Sequence, residues 1–241
     1  MCDLMHFAMG IPTVPVQRRM TLAAVVAARK AARLSWAAIF TKAFALVAAE
    51  FPELRRAYCK WPWPHLYEYP LSVAHITVER DYLGERAVFG LRVSDPGSLP
   101  IREVGALIRT ATTAPVESVK SFRYAVRFAR WPRPLRRLLW WVALNVGRLR
   151  TNYFGTFGVS VYSALGAESL HPLSPLTCTL NYGIIAADGT VDVRLIYDHR
   201  VLDGATVARA LVRLEEILNG TVCQELARPR LAIETPVAVF V

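Results

Sequence analysis

Two apolar runs meet at Asp188-Gly189, and that pair limits the fold more than any other feature of the chain. Thr177 to Ile184 and Gly189 to Tyr197 both read as strands, and Asp-Gly between such runs is a strong hairpin signal. The two strands are therefore expected to be antiparallel neighbours. A second pair, Leu71 to Glu79 and Arg86 to Val93, is joined by a turn around Tyr82 and Gly84. Gly155 to Ser163 reads as a further strand. Ile11 to Arg18, with Pro12 and Pro15, suits a sheet edge. No regular strand–helix–strand repeat and no Gly-rich phosphate loop accompanies them, so the chain is expected to be one α+β domain over residues 1–241.

Helices fill the remaining stretches. Thr21 can cap a helix over Leu22 to Arg33, and Ser35 one over Trp36 to Phe51 that Pro52 stops. Ile39, Phe40, Ala43, Leu46 and Val47 follow the 3-4 spacing of a buried stripe, with Lys42 as the charge set among them. Ser98 and Pro100 open a helix to about Thr112. Ala205 to Asn219 closes the fold, with Gly220 as its expected stop. Cys59 to Pro70 contains Trp61-Pro62-Trp63-Pro64 and is expected to be irregular.

Charge is concentrated in one place. The chain has 29 Lys and Arg against 19 acids, a net charge of +10. Nine of the cations, Lys120 through Arg150, fall between residues 118 and 150 with no acid among them, so the rest of the protein is close to neutral. Trp131-Pro132-Arg133-Pro134 should break this basic, Trp-rich segment into two helical pieces. Its longest uncharged apolar run, Leu138 to Gly147, is about half a membrane span. The four cysteines, Cys2, Cys59, Cys178 and Cys223, form no C-x-x-C pair, and Met1 to Gly10 lacks the pattern of a signal peptide. Free thiols and a cytoplasmic location are expected. His6, His65, His75 and His171 have no ligand spacing, so no metal site is expected.

The most informative stretch for chemistry is Tyr197-Asp198-His199-Arg200-Val201-Leu202-Asp203-Gly204, between a strand end and a helix start. A histidine on such a turn is held from both sides, and a neutral imidazole can take a proton from a thiol or an alcohol. Asp203 can cap the next helix and Gly204 permits a tight turn. From these residues alone, a purely structural turn is the expected reading.

H-x-x-x-D-G in this place resembles the signature of CoA-dependent acyltransferases with the chloramphenicol-acetyltransferase fold. D-H-R-V-L-D-G before an Ala-rich helix and Leu-Glu-Glu looks most like the catalytic domain of 2-oxo-acid dehydrogenase acyltransferases. Ser35 to Ala43 with Phe51-Pro52-Glu53-Leu54, Val73 to Ile101, Gly155-Thr156-Phe157 and Ser163-Ala164-Leu165-Gly166 are similar to further elements of that family. The resemblance runs from about Phe7 to about Leu218.

The resemblance implies a single chloramphenicol-acetyltransferase-like lobe, a mixed β-sheet flanked by helices. It implies transfer of an acyl group between CoA and a thiol, hydroxyl or amine acceptor. His199 takes the place of the general base. Ser163 takes that of the oxyanion donor because Leu165-Gly166 sets the register, while counting from Gly155-Thr156-Phe157 gives Ser160 instead. Asp203 supports the His199 loop; in relatives it pairs with an N-terminal Arg for which this sequence offers no counterpart. Asn181 and Tyr182 could line the pocket. A single lobe implies a homotrimer in which His199 of one chain faces Ser163 of its neighbour. No lipoyl or partner-binding domain is recognisable, so a lipoyl group is not expected on this chain. The alternative is a non-catalytic trimeric scaffold or membrane-surface partner that keeps the fold.

For residues 118–150 four readings stay open: an anionic membrane surface, the phosphates of CoA, nucleic acid, or a solvated helical face. No nucleic-acid-binding fold signature accompanies the segment, so nucleic acid is the least expected of these.

Overall fold

A computed structural model describes residues 2–161 and 166–228. Its main sheet contains β1 (Thr13–Thr21), β4 (Val73–Tyr82), β5 (Glu85–Ser94), β6 (Phe157–Val159), β7 (Cys178–Tyr182) and β8 (Thr190–Asp198), in the order β1-β8-β7-β6-β4-β5. The short strand β6 runs parallel to both β4 and β7, and every other pairing is antiparallel, so the sheet is mixed. A separate hairpin is formed by β2 (Arg56–Cys59) and β3 (His65–Glu68). The helices are α1 (Cys2–Ala8), α2 (Ala23–Ala32), α3 (Trp36–Glu50), α4 (Ile101–Thr113), α5 (Lys120–Ala129), α6 (Arg133–Asn145), α7 (Gly147–Phe154), α8 (Gly204–Ile217) and α9 (Cys223–Ala227).

Local chemistry explains most of these boundaries. Between β4 and β5, Leu83 and Gly84 both have positive φ, as a two-residue hairpin of the favoured twist requires. The β7–β8 pairing is antiparallel as expected, but its turn is wider. Beyond the strands, Gly183 N–H donates to the Asp192 carbonyl and Ala186 N–H to that of Thr190, leaving Ala187-Asp188-Gly189 as the turn. The Asp188 carboxylate accepts from the Thr190 backbone and hydroxyl, which fixes it.

Helix α3 is the centre of the packing. The Ser35 hydroxyl accepts from Ala38 N–H at its start, and Pro52 follows its end. Phe40 stacks on Tyr182 of β7 at 4.2 Å, and Phe44 packs on Phe157 of β6 at 4.8 Å. Ile39, Ala43 and Val47 are buried with them, as the 3-4 spacing predicts, whereas Leu46 is half-buried. Lys42 is also buried, and its ammonium donates to the carbonyls of Gly97 (2.6 Å) and Leu99 (2.7 Å), tying α3 to the turn before α4.

Several expectations need correction. Thr21 is the last residue of β1, paired with Thr190, and does not cap α2; that helix starts after Leu22, whose N–H is taken by the Gly189 carbonyl. Gly220 does not end the last helix, because Leu218 and Val222 stay buried and carry the chain through a π turn into α9. The basic segment forms three helices, since Gly147 begins α7 after α6 closes at Asn145. The stretch from Cys59 to Pro70 is irregular only around Trp61-Pro62-Trp63-Pro64; β3 lies between the prolines. The strand expected from Gly155 to Ser163 is limited to Phe157–Val159, with Gly155 turned at φ 87°, and its far end lies outside the described residues. Helix α1 had no sequence signal; Asp3 and Phe7 hold it against α6.

On β4, the imidazole of His75 lies across from Arg92 and over Gly90, where any side chain would collide with it. Burial, reinforced by the Arg92 charge, pushes its pKa down to about 4, so the ring is neutral in the fold and protonated more readily once unfolded. Its contribution to stability is present above the ordinary histidine value and is lost as pH falls from about 6.5 towards 4. Denaturant unfolding should show a loss of about 2–3 kcal/mol over that window, and His75→Gln should flatten the slope.

Candidate active site

The loop from β8 into α8 is fixed at its first residue. Asp198 is fully buried, and Arg200 meets its carboxylate in a two-pronged contact, Nε to Oδ1 at 2.9 Å and Nη2 to Oδ2 at 2.7 Å. Backbone N–H of Arg200 donates to the same carboxylate, and N–H groups of Val201 and Leu202 donate to the Asp198 carbonyl. The Arg200 guanidinium also lies 4.5 Å over the ring of Tyr58, from β2. These contacts leave His199 a defined position: its N–H donates to the Pro12 carbonyl, and its ring packs edge-on to Tyr197.

Among the described residues the ring has one hydrogen-bond partner. Nδ1 of His199 lies 3.0 Å from the Leu202 carbonyl, and a carbonyl only accepts. The proton of the neutral ring is therefore assigned to Nδ1, which leaves the Nε2 lone pair free. His199 is exposed in the single chain. It is thus a proton acceptor held at the surface.

Asp203, four residues on, is the N-cap of α8. Its carboxylate accepts from Thr206 N–H at 2.7 Å and from the Thr206 hydroxyl at 3.0 Å, and these bonds hold its pKa below the usual carboxylate range. Its charge adds to the burial that raises the pKa of Tyr197. Among the described residues no hydrogen bond or ion pair joins Asp203 to an arginine directly; Arg209 reaches it through the Thr206 hydroxyl.

Ser160 and Asn181 lie elsewhere. Both are buried, and the Asn181 amide donates to the Ser160 carbonyl at 2.5 Å. Among the described residues the Oδ1 atom of Asn181 has no partner. Asn181 stands opposite Arg194 on β8, five residues before His199. At a strand rise of about 3.3 Å per residue, roughly 15 Å separates that level from the His199 loop. Within one chain, then, the structure brings Ser160 to Asn181, level with the middle of β8, and keeps both apart from His199 and Asp203, which follow the end of that strand. Tyr182 faces the core against Phe40. Ser163 lies outside the described residues.

Sequence reasoning missed three polar anchors around this site. Asp198–Arg200 carries a readable signal, an acid closing an apolar strand two residues before an arginine. Arg150, counted with the exposed basic segment, is in fact buried: it donates to the carbonyls of Tyr58 and Pro175, and burial lowers its pKa. Arg194 is also buried, between Gln17 and Glu168. Neither has a local signal, since their partners are distant in sequence. Among the described residues no cluster of three His, Cys, Asp or Glu side chains could hold a metal ion, and no helix is long and apolar enough to cross a membrane.

No protein-family model matches the chain, nor does any curated protein sequence. Solved structures do. A probable dihydrolipoamide acetyltransferase from Listeria monocytogenes 4b F2365 is 17% identical with a TM-score of 0.66, over 97% of this chain and 93% of that one. The dihydrolipoamide acetyltransferase of Azotobacter vinelandii, investigated for the roles of a serine, a histidine and an asparagine in its catalytic mechanism, is 16% identical with a TM-score of 0.63, over 91% and 86%. A chloramphenicol acetyltransferase is 15% identical with a TM-score of 0.54, over 88% and 92%. The fold is that of the CoA-dependent acyltransferases typified by chloramphenicol acetyltransferase, with dihydrolipoamide acetyltransferases among its neighbours.

Because Asp198 anchors the loop from inside, Asp198→Ala should destabilise the protein by about 3–5 kcal/mol in denaturant unfolding, the cost of leaving Arg200 without its buried partner. Asp203 is expected to act through its helix cap. Asp203→Ala should lower the thermal midpoint at neutral pH, and the difference from wild type should vanish as acid protonates the carboxylate below its lowered pKa.

Proposed function

We propose that this chain is a CoA-dependent acyltransferase whose active site is completed between protomers of a homotrimer. The observation that carries the reading is the imidazole of His199, with Nδ1–H given to the Leu202 carbonyl and Nε2 bare at the surface. A free basic nitrogen next to a fixed loop suits the removal of a proton from a thiol, hydroxyl or amine. The same atom returns that proton to the departing CoA sulfur.

In the proposed reaction His199 Nε2 accepts the acceptor's proton while the acceptor attacks the acyl thioester carbonyl. The new bond to carbon leaves the carbonyl oxygen negative, and a serine hydroxyl donates to it. The oxygen's electron pair then re-forms the carbonyl, the carbon–sulfur bond breaks, and the imidazolium protonates the CoA thiolate. Ser163 is the proposed donor, with Ser160 as the alternative. The separation of Ser160 and Asn181 from His199 along β8 supports a site in which the base and the donor come from different chains. The positions of Asp198 and Asp203 support a positioning role for both, since their carboxylates are occupied by Arg200 and by Thr206. That solved structures of this fold are named as acetyltransferases supports the reading.

The test is acyl transfer from acetyl-CoA to a panel of thiol, alcohol and amine acceptors, read as CoA release. His199→Ala should lower turnover by about 10²–10⁴-fold with the oligomer intact, and retained turnover would end the proposal. Ser163→Ala should cost about 10²–10³-fold in kcat, the loss typical of one oxyanion donor, and Ser160→Ala should cost far less. The opposite result reassigns the donor to Ser160.

A further inference from the structure

Helix α6 is packed with its charged side inward. Arg136 Nε and Arg137 Nε meet the carboxylate of Asp3 at 2.9 and 3.6 Å. Trp140, on the same side, is held between Phe7 and Phe154. The opposite side carries Leu135, Leu138 and Val142 at the 3-4 spacing of one helical face, with Leu139 beside them and Trp131 just ahead of the helix. Apart from the half-buried Val142 these side chains are bare: Leu138 is 56% exposed and Trp131 46%. The face does not stop at the helix. Asn145 Oδ1 accepts from Lys60 N–H at 3.0 Å, which places the β2–β3 loop beside the C-terminus of α6. From that loop Trp61 and Trp63 project with 54% and 68% exposure.

Arg130 and Arg133 stand at the start of this face, and the preceding helix α5 adds Arg123 and Arg127. Arg123, Arg127, Arg130 and Arg133 are exposed and form no ion pair among the described residues. Apolar side chains, tryptophans and unpaired arginines together match the boundary between lipid headgroups and acyl chains. Tryptophan is enriched there, and anionic phosphates supply the missing counter-charge. A second copy meeting this face across a twofold would instead bring four more arginines against these four. With 13 residues the helix is about 20 Å long and would lie along a bilayer, not across it.

We propose that α6 and the Trp61–Trp63 loop form a docking face for an anionic phospholipid bilayer. This inference stands apart from acyl transfer and is tested without it. The full chain is mixed with vesicles of phosphatidylcholine containing phosphatidylglycerol, or of phosphatidylcholine alone, at low and at high salt, and co-sedimentation is measured. Binding is expected on the anionic vesicles only, weakening as salt rises. Arg130→Gln with Arg133→Gln should lower partitioning by roughly tenfold or more, and Leu138→Asp should abolish it.

Wild-type tryptophan fluorescence, quenched by brominated acyl chains, reports insertion without depending on any variant's folding. No binding at low salt, or binding without quenching, overturns the proposal. If Leu138→Asp changes the protomer number in solution, the face is a contact between copies and the proposal also fails. Binding of an RNA or DNA oligonucleotide that Leu138→Asp leaves unchanged, with no binding to vesicles, reassigns the arginines to nucleic acid.

Discussion

A buried carboxylate sets the geometry on which the candidate site depends. Asp198 ends β8 inside the protein, where an unpaired charge would be strongly disfavoured. Arg200 must therefore fold back onto it, and Arg200, Val201 and Leu202 are drawn into its hydrogen bonds. Between the two partners stands His199, which has little freedom left. Its backbone N–H is given to Pro12, its ring packs on Tyr197, and its Nδ1 is claimed by Leu202. The orientation of the ring thus follows from a loop fixed by one buried ion pair.

This arrangement explains which parts of the molecule were legible in the sequence. The hairpins were, because a turn with positive φ at Leu83-Gly84 and at Gly189 is a local event with a local residue signature. So was α3, whose buried stripe and Ser35 cap are set by spacing along one helix. His199 and Asp203 could be singled out because their roles depend on neighbours within four residues. The cap at Thr21 failed for the opposite reason: its neighbours in space are Thr190 and Glu215, and strand pairing outweighed a cap's small local gain.

What stayed hidden were interactions between distant segments. Arg150 looks like one cation among nine, yet the carbonyls of Tyr58 and Pro175 enclose it, and burial rather than solvation defines it. Asp3 neutralises Arg136 and Arg137 from more than a hundred residues away. Both changes shrink the basic segment to its exposed half, around Trp131, and give it a direction that composition alone lacks. Likewise, Ser160 and His199 belong to one reading of the sequence, but only the strand register shows Ser160 level with the middle of β8 and His199 beyond its end.

That separation has a consequence for how such a protein behaves before it is assembled. On the proposed reading, a chain that carries His199 beyond the end of β8 and Ser160 level with its middle would hold, alone, two half-sites and no whole one. Newly made protomers would be unable to spend thioesters on water, and activity would appear with assembly as a steep function of protein concentration. Two chains, each crippled at a different half-site, would restore one sound site wherever their intact ends met.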